Sequence, residues 1–240
     1  MSAVIRMLTA TSLLVASASS QAAISLDRTR AIFPGTEKSI TLNISNENPK
    51  KPYLAQAWLE NENGQKISSP FMVVPPVQRL EPGQKSVLRV NALPAIASLP
   101  QDRESVFWFS IREIPPKSDR PNVMQIALQT RIKMFYRPAA ILPEKYSRWD
   151  DRLVLHRIAG GYRVENPTPY FMTIIAITDK LKGDIPKDFK PVMIAPKSSA
   201  VINSKDFASP WVATINDFGG KPALPFRCEG DTCHAVLKTD

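Results

Sequence analysis

Two cysteines near the carboxyl end are the first residues with a definite chemistry. Cys228 and Cys233 are the only cysteines, and the four residues EGDT separate them. In an oxidising compartment a pair at this spacing favours a small-loop structural disulfide. The alternative is a metal site that also uses His234, but three neighbouring ligands without an obvious fourth are a poor zinc signature. We therefore expect a disulfide and no bound metal.

Residues suited to catalysis are sparse. His156 and His234 are the only histidines, and the sequence contains neither a GxSxG motif nor a glycine-rich phosphate loop. Asp102 and Glu104 are two residues apart, which on a strand would place two carboxylates on one face as a candidate acid–base pair. This pair is the main support for an alternative in which the protein is a secreted hydrolase. Surface carboxylates are common, however, so the pair is weak support. We expect no enzymatic activity and no cofactor.

The first 22 residues have the layout of a secretory signal peptide. Arg6 is followed by an apolar centre from Met7 to Ala18 and then by small residues, with cleavage expected after Ala22. Loss of Arg6 lowers the formal net charge by one from +9, and this basic balance suits an acidic surface or an anionic group of a partner. No dense run of Lys and Arg supports a nucleic-acid partner.

The pattern of apolar residues predicts an all-β chain. Its 22 prolines and 9 glycines are scattered throughout, and no stretch keeps a helical period over three turns. Short alternating runs recur between turn signals, at residues 39–44, 53–59, 86–90, 106–111, 153–156 and 173–178. The proline-containing segment 137–151 interrupts the alternation, so we predict two β-sandwich domains at residues 23–140 and 143–240.

One predicted strand is unusually long. Residues 122–138, NVMQIALQTRIKMFYRP, look like one continuous strand, whereas the average strand has about 5–6 residues. Its apolar side chains share one face of a two-residue period: Met124, Ile126, Leu128, Ile132 and Met134. A long alternating strand that ends in positive charge is also a template for pairing with another chain.

Several motifs, in this order along the chain, resemble the periplasmic pilus-assembly chaperones of the PapD type: SLDRTRAIFPG, PYLAQAWLENENG, PPVQRLEPGQKSVLRV, LPQDRESVFWFSIREIPP, QIALQTRIKMFYRPAA, GGYRVENPTPY and the glycine turn INDFGGKP. The resemblance implies two immunoglobulin-like domains set at an angle with a cleft between them. Members of this family bind pilus subunits that lack a final strand and lend them one. They then deliver the subunits to an outer-membrane usher, so the resemblance also implies a periplasmic location.

The resemblance assigns two features to subunit binding. Met124, Ile126 and Leu128 stand where alternating apolar side chains enter the subunit's groove. Arg30 and Lys133 match two basic cleft residues that anchor the subunit's C-terminal carboxylate. Strict alternation places Lys133 on the face opposite the apolar side chains, so we expect a twist or bulge in the strand, or a cleft that reaches both faces.

Two further surfaces follow from the resemblance. It implies an interdomain ionic network that fixes the angle between the domains: Arg89, Glu104 and Asp217. It also implies an exposed apolar patch recognised by the usher, for which core packing is the alternative: Pro52, Leu54 and Ile114. The sequence departs from the family at Ser110, where Asn is usual.

A different class of function is an exported immunoglobulin-like structural or adhesive protein, such as a fibre subunit. A subunit would carry one incomplete sandwich and a free donor segment at its N-terminus, whereas this chain after the predicted cleavage begins directly with a strand motif and fills two domains. A chaperone without a bound subunit leaves its donor strand open, so self-association of the unloaded protein is expected to be possible.

Overall fold

The chain folds almost entirely into β-strands joined by loops and short 3-10 turns. The computed structural model describes residues 22–119, 121–144 and 147–237, with 3-10 turns at Pro94–Ser98, Ala139–Ile141 and Asp150–Arg152. The predicted signal peptide lies outside these residues except for Ala22. No helix within the described ranges is long and apolar enough to cross a membrane. The prediction of an all-β fold is confirmed.

The strands of the described residues fall into two groups along the chain. The first group is β1 (Ile24–Leu26), β2 (Arg30–Pro34), β3 (Ser39–Asn46), β4 (Tyr53–Glu60), β5 (Lys66–Ile67), β6 (Phe71–Val74), β7 (Val77–Leu80), β8 (Lys85–Ala92), β9 (Ser105–Ile114) and β10 (Gln129–Arg137). The second group is β11 (Val154–Ile158), β12 (Gly161–Asn166), β13 (Met172–Thr178), β14 (Val192–Ile194), β15 (Ser198–Asn203), β16 (Trp211–Thr214), β17 (Ala223–Glu229) and β18 (Thr232–Ala235).

The first group forms a sandwich around one hydrophobic core. One sheet has the order β1-β3-β8-β6, and the other has the order β2-β10-β9-β4-β5, with β7 also paired to β4. Alternation explains how each strand contributes, since Leu88 and Val90 of β8 are buried while Arg89 between them faces solvent. The inner faces of the two sheets meet at large side chains that include Phe71 and Phe109.

The second group folds around a core of its own. Its strands follow the hydrogen-bonded order β14-β13-β16-β17-β18-β11-β12-β15, and they enclose a cluster that includes Tyr162 and Phe226. Cys228 of β17 faces Cys233 of β18 and the two form a disulfide, which confirms that prediction. The described residues contain no group of His, Cys, Asp and Glu side chains arranged to hold a metal ion.

β10 is shorter than the predicted strand at 122–138, and that prediction is wrong for residues 122–128. β10 begins at Gln129, which pairs with Arg112 of β9. One more hydrogen bond follows, from the Glu113 N–H to the Leu128 carbonyl oxygen (3.0 Å). Pairing then stops, because positions 115 and 116 on the β9 side are prolines without an N–H group.

The predicted apolar face of this segment therefore divides into two parts. Ile132 and Met134 are buried in the core of the first sandwich. Met124 is 87% exposed, Ile126 66% and Leu128 41%. Since these three lie before β10, the alternation of β10 does not fix the direction of their side chains.

Candidate functional site

A parallel strand pair brings the two predicted cleft cations together. β2 runs parallel to β10, and the register places Arg30 directly beside Lys133. Neighbouring strands lie about 4.8 Å apart, so the two side chains leave from adjacent points on one face of the sheet. Arg30 reaches the second domain, where its Nη1 donates a hydrogen bond to the carbonyl oxygen of Ile215 (3.2 Å).

Both cations are partly removed from water. Burial lowers the pKa of the Arg30 guanidinium, and the negative charges of Asp217 and Glu104 oppose that shift. Burial also lowers the pKa of the Lys133 ammonium, and the positive charge of Arg30 lowers it further. An anion between them would relieve the repulsion and accept charge-assisted hydrogen bonds from both groups. The pair is therefore suited to binding a carboxylate.

Aromatic rings hold this cationic face in place. The Arg30 guanidinium carbon lies 5.8 Å from the centre of the Phe135 ring, and Lys133 Nζ lies 5.6 Å from the centre of the Trp108 ring. The guanidinium carbon of Arg131 lies 3.9 Å from the same Trp108 ring. These distances are within the range of about 6 Å over which a cation is attracted to an aromatic face.

A buried carboxylate fixes Arg131 in turn. Glu60 is 8% exposed, and its Oε2 accepts a hydrogen bond from Arg131 Nε (2.8 Å). Glu60 Oε1 accepts hydrogen bonds from Trp58 Nε1 (2.6 Å) and from the hydroxyl of Ser110 (3.2 Å). Ser110 thus forms a side-chain hydrogen bond although it replaces the usual Asn. Sequence reasoning missed this cluster because its members come from β4, β9 and β10, and no local spacing connects them.

The exposed apolar segment leads directly to the cation pair. In the part of the chain that the structure describes, β2 pairs with β10 only from Lys133 to Arg137. Residues 129–132 of β10 therefore have one edge without a strand neighbour, where N–H and C=O groups are available to another chain. This free edge ends at the position where Arg30 and Lys133 stand.

An ionic network joins the two domains through Arg137. Its Nε donates to Glu104 Oε1 (2.8 Å), and its Nη1 and Nη2 donate to Asp217 Oδ2 and Oδ1 (2.8 and 3.1 Å). Glu104 Oε2 also accepts a hydrogen bond from the Phe171 N–H of the second domain (2.7 Å). Tyr170 adds an aromatic contact, with its ring centre 4.8 Å from the Arg137 guanidinium carbon.

The structure thus brings Glu104 and Asp217 together, but the assignment of Arg89 to this network is wrong. Arg89 lies in β8 of the other sheet, and its side chain faces solvent because its neighbours in the strand point into the core. Arg137 takes the central place instead, and sequence reasoning missed it. The available signal was its position at the end of the alternating strand, directly before Pro138.

The candidate acid–base pair of Asp102 and Glu104 is not formed. Both residues precede β9, so they do not share a strand face. Asp102 is exposed and pairs with Arg103 (3.0 Å) and Lys197 (2.6 Å), and hydrogen bonds from these two side chains hold its pKa below the usual range. Glu104 is buried against Arg137. An ionised carboxylate on the surface and a buried one committed to an ion pair do not make an acid–base couple.

The predicted apolar patch occupies one end of the same sheet. Leu54 of β4 and Ile114 of β9 are direct neighbours in the register. Leu54 is 38% exposed, and Ile114 and Pro52 are partly buried. The side chains of Leu54 and Ile114 contribute to the surface, in contrast to the fully buried Ala55 beside them.

Family comparison covers both domains of the chain. Residues 23–142 match the family described as pili and flagellar-assembly chaperone, PapD N-terminal domain. Residues 148–226 match the family described as pili assembly chaperone PapD, C-terminal domain.

Individual relatives agree with the family match. The chaperone protein PapD of Escherichia coli is 54% identical over 213 residues, covering 88% of this chain and 89% of that protein. The CupB2 chaperone of Pseudomonas aeruginosa has a TM-score of 0.70 at 32% identity, covering 86% of this chain and 100% of that chain. A chain of the complex between the SafA pilin and the SafB chaperone of Salmonella enterica has a TM-score of 0.73 at 25% identity, covering 88% and 99%.

Proposed function

Because this chain belongs to the family of PapD-type pilus-assembly chaperones, we propose that it binds, folds and caps pilus subunits in the periplasm by donor-strand complementation. The observation that carries the proposal is the open edge of residues 129–132 of β10, which continues the exposed apolar segment 123–128 and ends beside the paired cations Arg30 and Lys133. The same comparisons favour this function over an exported structural or adhesive fibre protein, since both domains match chaperone families.

The donor segment supplies both affinity and selectivity. Backbone groups of residues 123–132 bond to the subunit's open sheet without regard to its sequence, while Met124, Ile126 and Leu128 enter its apolar groove. These three side chains are exposed in the unloaded chain, so binding removes apolar surface from water at about 25 cal/mol per Å². Neither catalysis nor a cofactor is needed for this exchange, and we propose that the protein is not an enzyme.

The cation pair fixes the register of the added strand. A C-terminal carboxylate held by Arg30 and Lys133 places the end of the subunit where β2 begins to cover β10. Without this stop, a slip of one residue would turn every groove-facing side chain to the wrong face. The carboxylate is also the one anion that all subunits share whatever their sequence.

Delivery to an outer-membrane usher is the proposed role of the patch formed by Pro52, Leu54 and Ile114. The patch lies on β4, β9 and the residues before β4, on the side of β10 opposite the free edge that we propose pairs with the subunit. A loaded chaperone could therefore present it while the donor segment is occupied. The predicted signal peptide at residues 1–22 and the disulfide both suit export to an oxidising compartment.

The sharpest test of strand donation is Ile126→Glu. Ile126 is 66% exposed, so the variant should fold normally, whereas an ionised carboxylate in the subunit's groove costs on the order of several kcal/mol. Mass spectrometry should identify pilus subunits that co-purify from the periplasm with the tagged, unmutated chaperone. These subunits should be absent when the Ile126→Glu variant is purified in the same way. Val87→Glu is a matched control, since Val87 is 46% exposed on β8, outside the donor segment. Retention of the subunits by a folded Ile126→Glu variant would refute strand donation.

A second test addresses the carboxylate. A synthetic peptide with the sequence of the last strand of a co-purified subunit should bind the unmutated chaperone more tightly as the free acid than as the C-terminal amide. The expected difference is at least about thirtyfold, because losing one partner of a buried interfacial charge pair costs about 2–5 kcal/mol. Equal binding of the two peptides would show that Arg30 and Lys133 do not anchor the carboxylate.

A further inference from the structure

The turn between β16 and β17 is tightly cross-linked by its own hydrogen bonds. Asn216 Oδ1 accepts hydrogen bonds from the N–H groups of Phe218 (3.1 Å) and Gly220 (2.8 Å). The Asn216 N–H donates to the Gly220 carbonyl oxygen, and the Gly219 N–H donates to the Asn216 carbonyl oxygen, both at 3.0 Å. Four bonds across five residues hold this turn, residues 216–220, in one conformation.

The same turn is fastened to the first domain on both sides of Phe218. Asp217 forms the two-point ion pair with Arg137. Gly219 has φ +80°, and a Cβ atom at this position would lie 2.7 Å from Thr29 Oγ1. Only glycine meets both constraints, because the backbone is left-handed and the first domain is in contact with it.

Phe218, between these two fastened residues, is almost entirely in solvent. Its exposed fraction is 96%, the highest of the large apolar side chains in the described part of the chain. An aromatic ring held out by a rigid turn loses little conformational entropy when a partner covers it. Beside it opens a cavity of about 370 Å³, lined by the apolar residues Phe218, Trp149, Met172 and Ile215 and also by polar side chains that include Arg148 and Asp150. Ile215 also accepts the hydrogen bond from Arg30, so this surface is continuous with the carboxylate site.

We propose that Phe218 and the adjoining cavity form a second contact surface for the pilus subunit, occupied by an apolar loop side chain of the subunit body. This inference rests on the proposed function. A carboxylate bound at Arg30 and Lys133 marks the end of the subunit's last strand. No residue of that strand extends past the anchor, so the second domain faces loops at the same end of the subunit. An exposed aromatic ring beside a cavity that is lined in part by apolar side chains matches an apolar side chain on such a loop.

The test compares a whole subunit with a peptide that lacks its loops. The probes are a subunit identified by mass spectrometry in complex with the chaperone, and a free-acid peptide of its last strand. The Phe218→Ala chaperone and the unmutated chaperone carry different tags and compete for the subunit as it refolds from denaturant. The affinity of each chaperone for the peptide is measured separately. Leu181→Ala is the matched control, because Leu181 is 52% exposed and follows the end of β13 that pairs with Trp211, opposite the turn.

We expect the Phe218→Ala chaperone to capture the subunit about ten- to a hundredfold less well, which is the effect of losing one buried phenylalanine. Its affinity for the peptide and its unfolding midpoint should be unchanged, and Leu181→Ala should change neither binding measurement. Equal capture of the subunit by both chaperones would overturn the inference and leave the proposed function intact. Equal weakening of subunit and peptide would also overturn it, since Phe218 would then act through the anchor. Failure of the peptide to bind the unmutated chaperone would instead count against the proposed anchor, and subunit capture alone would then decide the role of Phe218.

Discussion

Replacement of Arg137 by alanine should destabilise the protein far more than the loss of an ordinary surface ion pair. Arg137 is 3% exposed and Glu104 is 4% exposed. Removing the guanidinium leaves the Glu104 carboxylate buried with the Phe171 N–H as its remaining hydrogen-bond donor. Breaking a buried pair by removing one partner typically costs about 3–5 kcal/mol, because the other charge stays desolvated.

The chain offers a matched control for this experiment. Arg79 and Glu81 form a pair at 2.7 Å whose side chains are 63% and 56% exposed. An exposed pair contributes about 0–1 kcal/mol, so Arg79→Ala should hardly change stability. Urea unfolding followed by circular dichroism and by tryptophan fluorescence measures the difference, and comparing the two signals checks whether the two domains unfold together.

Asp217→Ala separates the interdomain half of the network from the rest. The Asp217 side chain is 24% exposed, and its removal leaves the contact between Arg137 and Glu104 in place. We expect a smaller loss of stability than for Arg137→Ala, together with a wider range of interdomain distances in small-angle X-ray scattering. If Arg137→Ala lost no more stability than Arg79→Ala, the energetic reasoning would be refuted. An unchanged scattering profile for Asp217→Ala would refute the role of the network in fixing the domain angle.

Three further predictions follow from the site and the fold. Burial, and then the charge of Arg30, lower the pKa of Lys133. Binding of the free-acid peptide should therefore be strongest below that pKa and weaken as the pH rises through it. This decline should begin at a lower pH than the ordinary lysine pKa of about 10.4. Lys133→Arg should move the decline upward in a pH series by calorimetry, and affinity unaffected up to about pH 10 would contradict this. Replacing Cys228 and Cys233 by Ser should cost about 2 kcal/mol by loop closure in thermal unfolding without changing peptide affinity, and lost binding by a folded variant would count against a purely structural disulfide. Leu54→Glu should leave subunit binding and unfolding unchanged but stop pilus assembly, seen as subunit complexes accumulating in the periplasm. If cells that express Leu54→Glu carried normal pili on their surface, the proposed recognition of this patch by the usher would be wrong.

The fold class could be predicted because alternation is a local property. In β8, for example, Leu88 and Val90 are buried while Arg89 between them is exposed, as a period of two requires. The length of β10 could not be predicted from alternation, because the pattern does not indicate whether a partner strand is available. The two prolines at 115 and 116 were the missing information, since they limit pairing on the β9 side.

The identity of the arginine that bridges Glu104 and Asp217 could not be predicted from local sequence patterns. Arg89 and Arg137 have the same chemistry, and both occupy strands of the first domain. Which one reaches Asp217 depends on which sheet borders the second domain. β8 belongs to the sheet with β1, β3 and β6, whereas β10 belongs to the other and ends at the connection to β11. Tertiary packing decides this assignment.

β10 connects the parts of the site because one face of a single strand carries several of them. Lys133, Phe135 and Arg137 alternate with the core residues, so all three point away from the first core. Lys133 helps form the proposed carboxylate site, and Arg137 binds Asp217 in the turn that carries Phe218. Lys133 and Arg137 are four residues apart in β10, and a strand rises about 3.4 Å per residue. The rise of these four residues fixes the distance between the proposed carboxylate site and this turn. Under the proposed function, the register of a bound subunit would thereby be set relative to the second domain as well as to the donor segment. A change that shifts β10 by one residue would therefore disturb the anchor, the domain angle and the position of Phe218 together.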